Sequence, residues 1–177
     1  MSQSTAGPLT EDMPSLDAKL HSDLESIYQS MMWLRRKPNV TDSRARAWYS
    51  HVMARTVTRR IRRFSGQISR SAVLNSSGPL VLEHHGRMQT TLTELVNRHH
   101  KLGRPSPREF IALVQQLERV HIVTRKENYA ARRAKGNYRA AGIQLVRWNT
   151  IPLKRREHLW KRMLVGRVCN ADSYSPH

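Results

Sequence analysis

The sequence predicts a mostly helical α+β fold that begins with a helical hairpin. Two stripes of apolar residues recur at spacings of three and four, the period of a helix that buries one face. Short segments rich in β-branched residues, LVLEHH and VHIVT, separate the later helices and predict strands. With 177 residues, the chain is long enough to bury a core of its own.

The N-terminal part divides into a tail and a helical arm. Residues 1–14 are small, polar and interrupted by proline and glycine, so we expect a flexible tail. Within residues 15–72, one apolar stripe runs from Leu16 to Leu34 and stops before a proline. A second stripe comprises Met53, Val57, Ile61, Phe64 and Ile68, and arginines occupy its other face. We expect these two helices to pack as a hairpin that is basic on one face.

Residues 73–138 alternate strands with capped helices. A strand is expected at LVLEHH, after turn residues, and a second one at VHIVT. Thr91, Ser106 and Thr124 each precede a glutamate by three residues, which is the pattern of a capping box at a helix start. The predicted order is therefore strand, helix, helix, strand, helix. Residues 139–177 add a short strand at IQLVRW, a basic helix at about 152–165 and a loose tail.

The charge of the chain indicates a polyanionic partner. The net charge is +18, and residues 31–177 hold 30 basic against 8 acidic residues, a net charge of +22. Such a field attracts polyanions, and most of the bases are arginine, whose planar fork suits phosphate. No segment has the roughly 20 apolar residues that span a membrane. A single cysteine excludes an intramolecular disulfide and a zinc site built from several cysteines.

From this composition we expect a cytoplasmic protein that binds nucleic acid. The residues expected to contact nucleic acid are Arg55, Arg59, Arg62, Arg63, Arg125, Arg132, Arg147, Lys154, Arg155 and Arg156.

The stretch 80–88, LVLEHHGRM, ends its predicted strand in Glu83, His84 and His85. Asn128 lies in the first turn of the helix that follows the second strand. Over residues 80–135 this order resembles the HNH, or ββα-metal, nucleases. The resemblance implies a ββα-metal-like core, in which the helix at 106–117 is an insertion.

The resemblance also implies one divalent metal ion per site, Mg²⁺ or Mn²⁺, and an imidazole that deprotonates water. In one alignment His84 and Asn128 are metal ligands and His85 is the general base. In a frame one residue earlier, Glu83 is the ligand and His84 is the base. His121 alternates with apolar neighbours along its strand and is expected to face away from them. It could reach the metal from there, but an ordinary strand histidine is the favoured interpretation.

The function that the resemblance implies is a metal-dependent DNA endonuclease, of restriction or homing type, that hydrolyses phosphodiester bonds. Its expected partner is double-stranded DNA, and the protein would be associated with the nucleoid when bound to it. The alternative is a non-catalytic basic protein that binds DNA or RNA. A double-strand cut usually takes two copies, so a homodimer is expected. Its seam could be the apolar stripe at 16–34, or that stripe could instead be buried against its own hairpin partner.

Overall fold

The computed structural model describes residues 16–75, 78–84 and 86–176, so the predicted tail at 1–14 lies outside the described residues. The chain is mostly helical with one four-stranded mixed sheet. The helices are α1 (Ala18–Arg35), α2 (Asp42–Ala47), α3 (Ala54–Ile61), α4 (Arg70–Leu74), α5 (Met88–Leu102), α6 (Pro107–Leu117), α7 (Arg125–Arg133) and α8 (Leu153–Leu159). The strands are β1 (Arg63–Ser69), β2 (Leu80–His84), β3 (Arg119–Thr124) and β4 (Leu145–Arg147).

The first predicted helix is confirmed. Asp17 caps α1 by accepting a hydrogen bond from the backbone N–H of Leu20, and the helix ends three residues before Pro38. Its apolar stripe is buried in a helical core that it forms with α2, α3, α5 and α6. The hairpin partner and the two later helices therefore cover this face of α1.

The prediction that the second stripe, from Met53 to Ile68, is one helix is wrong beyond Ile61. A π-helical turn at Trp48–Met53 joins α2 to α3, and the chain then becomes extended as β1. Phe64 and Ile68 are four residues apart, which places them on one face of a helix but also on one face of a strand. The spacing of these two residues could not distinguish the two structures.

The sheet has the order β2-β3-β1-β4. β3 pairs antiparallel with β2 and parallel with β1, whereas β4 is antiparallel to β1. One face of the sheet forms a second core with α8 and the π-helical turn that follows it at Trp160–Leu164. The predicted basic C-terminal helix is thus present, while the predicted strand at IQLVRW is limited to β4.

The helix starts predicted from sequence are confirmed at two of three positions. Ser106 caps α6, and Thr124 with Glu127 forms a complete capping box at α7. Thr91 does not start a helix, because α5 already begins at Met88. The Thr91 hydroxyl instead donates to the carbonyl of Arg87, one turn earlier, at 3.0 Å.

Candidate functional site

The sheet face opposite the second core carries a polar group of side chains. Glu83 on β2 lies directly opposite His121 on β3, so both point to this face. His121 is 3% exposed, and its Nδ1 lies 2.5 Å from the hydroxyl of Ser65 on β1. The helix α7 packs against β2 and β3, and the charge of its Arg132 acts on Glu83. At the end of β1, the hydroxyl of Ser69 donates to Glu127 Oε2 at 2.6 Å.

The start of α7 places Asn128 over the polar face. Glu127 accepts hydrogen bonds from the backbone and the hydroxyl of Thr124, both at 2.9 Å, which fixes where the helix begins. Ala131 is buried and marks the side of α7 that faces the sheet, and Asn128 lies one turn before it on the same side. Asn128 Oδ1 is buried and has no hydrogen-bond partner among the described residues. A buried oxygen of this kind calls for an explanation, such as a bound ion.

The electrostatics of this face depend mainly on burial. Burial raises the pKa of the Glu83 carboxyl, while the charges of His84 and Arg132 act in the opposite direction. Burial also raises the pKa of Tyr138, and the carboxylates of Glu83 and Glu127 add to that effect. Tyr138 therefore stays a neutral phenol beside the two acids.

His84 lies on the other face of the sheet. It is opposite Val120, which belongs to the second core, and strand alternation separates it from Glu83. Its Nε2 lies 3.2 Å from Glu118 Oε2 and 3.3 Å from a guanidinium nitrogen of Arg62. Glu118 is 1% exposed and also accepts from Arg62 Nε at 3.0 Å and from the Tyr49 hydroxyl at 3.2 Å.

The Glu118 carboxylate is held in its charged form by these contacts. Burial acts to raise its pKa, but the hydrogen bond and charge of His84, together with those of Arg62, lower the pKa below its usual range. The group consisting of Tyr49, Arg62, His84 and Glu118, called the Glu118 network below, joins the helical core to the sheet.

The structure brings together some of the predicted site residues and separates others. Glu83 lies on one face of the sheet and Asn128 in the first turn of α7, whereas His84 belongs to the Glu118 network on the opposite face from Glu83. The predicted general base, His85, lies outside the described residues. Among the residues that the structure does describe, no three His, Cys, Asp or Glu side chains cluster closely enough to hold a metal by themselves.

Sequence reasoning did not select Glu118, Ser65 or Ser69 as site residues. Glu118 has no distinguishing sequence context, and its burial depends on groups 34, 56 and 69 residues away. The two serines lie in β1, which the sequence analysis treated as helix. His121 was expected to face away from its apolar neighbours, and this expectation is confirmed by the register of β2 and β3.

The predicted nucleic-acid contacts differ in how they are held. Arg55, Arg59, Arg125, Arg132, Arg147 and Lys154 are exposed, whereas Arg62, Arg63, Arg155 and Arg156 are partly buried. Arg155 donates to the carbonyls of Ala72 and Asn75. Arg155 thus hydrogen-bonds to the main chain at the end of α4, and its partly buried guanidinium is less accessible to phosphate than those of the exposed arginines. No helix within the described part of the chain has the length and apolar character needed to cross a membrane.

Comparison with known proteins found no match. No family model, no curated protein and no solved structure is significantly similar to this chain.

Proposed function

We propose that this protein is a metal-dependent endonuclease that hydrolyses phosphodiester bonds in double-stranded DNA. The observation that carries the proposal is the position of Asn128. Its unpartnered, buried Oδ1 lies on the side of α7 that covers Glu83 and His121. This combination of an acid, an amide oxygen and an imidazole suits metal-assisted hydrolysis. The net charge of +18 supports a nucleic-acid substrate.

Glu83 and Asn128 are the residues that would hold the metal. Both offer oxygen atoms, which Mg²⁺ and Mn²⁺ prefer as ligands. A bound divalent ion would supply positive charge to the scissile phosphate and to the departing oxygen. The geometry favours Glu83 over His84 as the ligand, because His84 lies on the other face of the sheet.

The general base is assigned to His85, the role that the sequence predicts for it. A separate role for His121 follows from its position opposite Glu83. Because Ser65 holds Nδ1 of His121, the ring orientation and tautomer of His121 are constrained. His121 would orient neighbouring groups on this face, while His85 would take the proton from water.

The test is cleavage of a supercoiled plasmid with Mg²⁺, with Mn²⁺ and with EDTA. The parent protein should cut with either metal and stop with EDTA. Glu83→Gln and Asn128→Ala should raise the metal concentration needed for half-maximal cleavage, since each removes a ligand oxygen. Glu94→Gln and Asn97→Ala, on α5, are matched controls and should behave like the parent. A parent protein that cuts nothing, or two site variants that match their controls, would contradict the proposal.

A second function, non-catalytic binding of DNA or RNA, is favoured by the Glu118 network. In this network His84 contacts Glu118 and Arg62, which is a structural role. One histidine of the His84-His85 pair is therefore explained without catalysis. The same plasmid assay separates the two functions. A purely binding protein would retard the plasmid and leave it supercoiled under every metal condition.

A further inference from the structure

A groove of about 730 Å³ lies between α3, the first residues of β2 and the turn at Gly166 and Arg167. Four arginines line it: Arg55, Arg59, Arg62 and Arg167. None of the described residues that line this groove is acidic. We call it the arginine groove.

The arginines converge for a geometric reason. Arg55, Arg59 and Arg62 follow one another at spacings of four and three, so α3 and its C-cap present them on one face. Arg167 reaches the same groove from a turn more than 100 residues later in the chain. Arg60, on the same helix, points elsewhere and pairs with Asp17, the N-cap of α1, and with Asp23 within α1.

The four side chains are in different states. Arg62 is held by Glu118 and His84, which fixes its guanidinium at the end of the groove. Arg55, Arg59 and Arg167 are exposed, and they form no ion pair with any of the described acids. Three unneutralised guanidiniums around one concave surface create a local positive potential that a polyanion would relieve.

The groove also points to the candidate site. Its floor includes residues 80–82 of β2, which is an edge strand of the sheet. The next residues along this strand are Glu83 and His84, and Arg62 contacts both the groove and His84. A strand of nucleic acid that followed the groove would therefore reach the His84 side of β2, the edge strand whose other face carries Glu83.

We propose that the arginine groove binds the phosphates of one nucleic-acid strand, with Arg55, Arg59 and Arg167 as phosphate contacts. Binding of this kind does not require catalysis. Delivery of the strand to Glu83 rests on the proposed function. Guanidinium groups bind phosphate in a bidentate manner, and repeated contacts of this kind hold the backbone regardless of base sequence.

The test is a salt titration of binding to a fluorescent 30-base-pair duplex, in EDTA so that no cleavage occurs. Each phosphate contact contributes about 0.9 to the slope of log K against log salt concentration. Replacing Arg55, Arg59 and Arg167 together with glutamine should therefore lower that slope by about 2.7. The matched control replaces Lys101, Arg104 and Arg108, which are exposed near the turn between α5 and α6, and removes the same charge.

The control should leave the slope close to that of the parent protein, and replacing the three groove arginines with lysine should largely retain it. If the groove and control glutamine variants lowered the salt slope equally, the groove proposal would be wrong, because only the overall charge of the protein would then determine the slope. The groove proposal would also be wrong if the groove glutamine variant lost binding to acidic phospholipid vesicles while its binding to DNA stayed unchanged. Circular dichroism and the melting temperature of each variant identify any that fail to fold, and single substitutions then replace the triple.

The groove and the proposed function can fail separately. If the parent protein never cuts DNA but the groove variant has a smaller salt slope, the groove proposal is supported and the nuclease proposal is wrong. If the parent protein cuts DNA but the groove variant keeps the parental slope, the nuclease proposal is supported and the groove proposal is wrong.

Discussion

Glu83 and His84 are neighbours in the chain, but they lie on opposite faces of the sheet and meet different partners. Glu83 shares its face with His121 and α7, whereas His84 meets Glu118 and Arg62. A metal site that used His84 and Asn128 together would need ligands from both faces of one strand pair. Glu83 as the ligand avoids this difficulty for the metal, but the base of that frame, His84, lies on the opposite face, so we combine the ligand of the second frame with the base of the first, His85.

The roles of the two histidines can be separated kinetically. At saturating metal, His85→Ala should lower the rate of single-turnover cleavage roughly 10²–10⁴-fold, because a general base lowers the barrier without holding phosphate or metal. His84→Ala should leave the metal requirement unchanged, because its ring contacts Glu118 and not the face that holds Asn128. Cleavage measured at several Mg²⁺ and Mn²⁺ concentrations checks both. If His84→Ala needed more metal for cleavage, the alignment in which His84 and Asn128 are the metal ligands would be favoured instead.

The Glu118 carboxylate should make stability depend on pH. Its folded-state pKa lies below the usual value of 4.5, since His84 and Arg62 more than offset the effect of burial. The folded protein therefore binds this proton less tightly than the unfolded chain does. The stabilisation is present above about pH 4.5 and is lost as the pH falls through the folded-state pKa.

Glu118→Gln should lower the free energy of unfolding by about 1–3 kcal/mol at pH 7, because Arg62 and His84 lose a charged acceptor. The difference between parent and variant should shrink as the pH falls below 4.5. Urea unfolding at several pH values measures it, with Glu94→Gln on the surface of α5 as the control. A difference that stays constant with pH would mean that the carboxylate charge contributes nothing.

At the scale of elements, β1 shows how a pattern with two meanings is resolved. Phe64 and Ile68 satisfy both a helix and a strand, but Gly66 between them has φ +76°, a conformation that glycine adopts readily. The ring of Tyr174 approaches Gly66 so closely that a Cβ there would lie 3.1 Å from its hydroxyl oxygen. The strand forms because β3 and β4 offer hydrogen bonds on both sides, a contribution that local spacing does not report.

The capping box of α7 should control both stability and the position of Asn128. Thr124→Ala should reduce the free energy of unfolding by about 1 kcal/mol, because the N–H of Glu127 loses its acceptor. It should also raise the metal concentration needed for cleavage, since the first turn of α7 carries Asn128. Thr124→Ser should restore both properties. Thr93→Ala, at a half-buried position in the middle of α5, is the control and should change neither.

For the whole molecule, the apolar stripe of α1 is an internal surface. Leu20, Leu24, Ile27 and Met31 are each at most 3% exposed within a single chain. Of the two uses expected for this stripe, burial against its own helical neighbours is therefore the one observed, and the stripe is not free to form a dimer seam. A homodimer itself stays a prediction and would need another surface.

Leu24→Ala should accordingly lower the free energy of unfolding by about 2–5 kcal/mol and leave the molecular mass in solution unchanged. Leu102→Ala, at a position that is 62% exposed, is the control and should be nearly neutral. Urea unfolding measures the stability, and light scattering measures the mass. A change of mass with little loss of stability would show that α1 contacts a second copy.

The sequence by itself determined the features that depend on local chemistry and on total charge. The helical stripe of α1, the caps at Ser106 and Thr124 and the excess of arginine all follow from residue type and spacing. A cap forms within four residues, and a net charge does not depend on the fold. The face to which His121 points also followed from strand alternation alone.

The tertiary structure decided which partners each polar side chain meets. Only the packing of distant segments buries Glu118 beneath His84, separates Arg60 from the arginine groove and brings Arg167 into it. Periodicity reports that a face is covered, but it does not identify the covering element. Adjacent residues on a strand also diverge to opposite faces, so Glu83 and His84 could be assigned different surroundings only when β3 and α7 were in place.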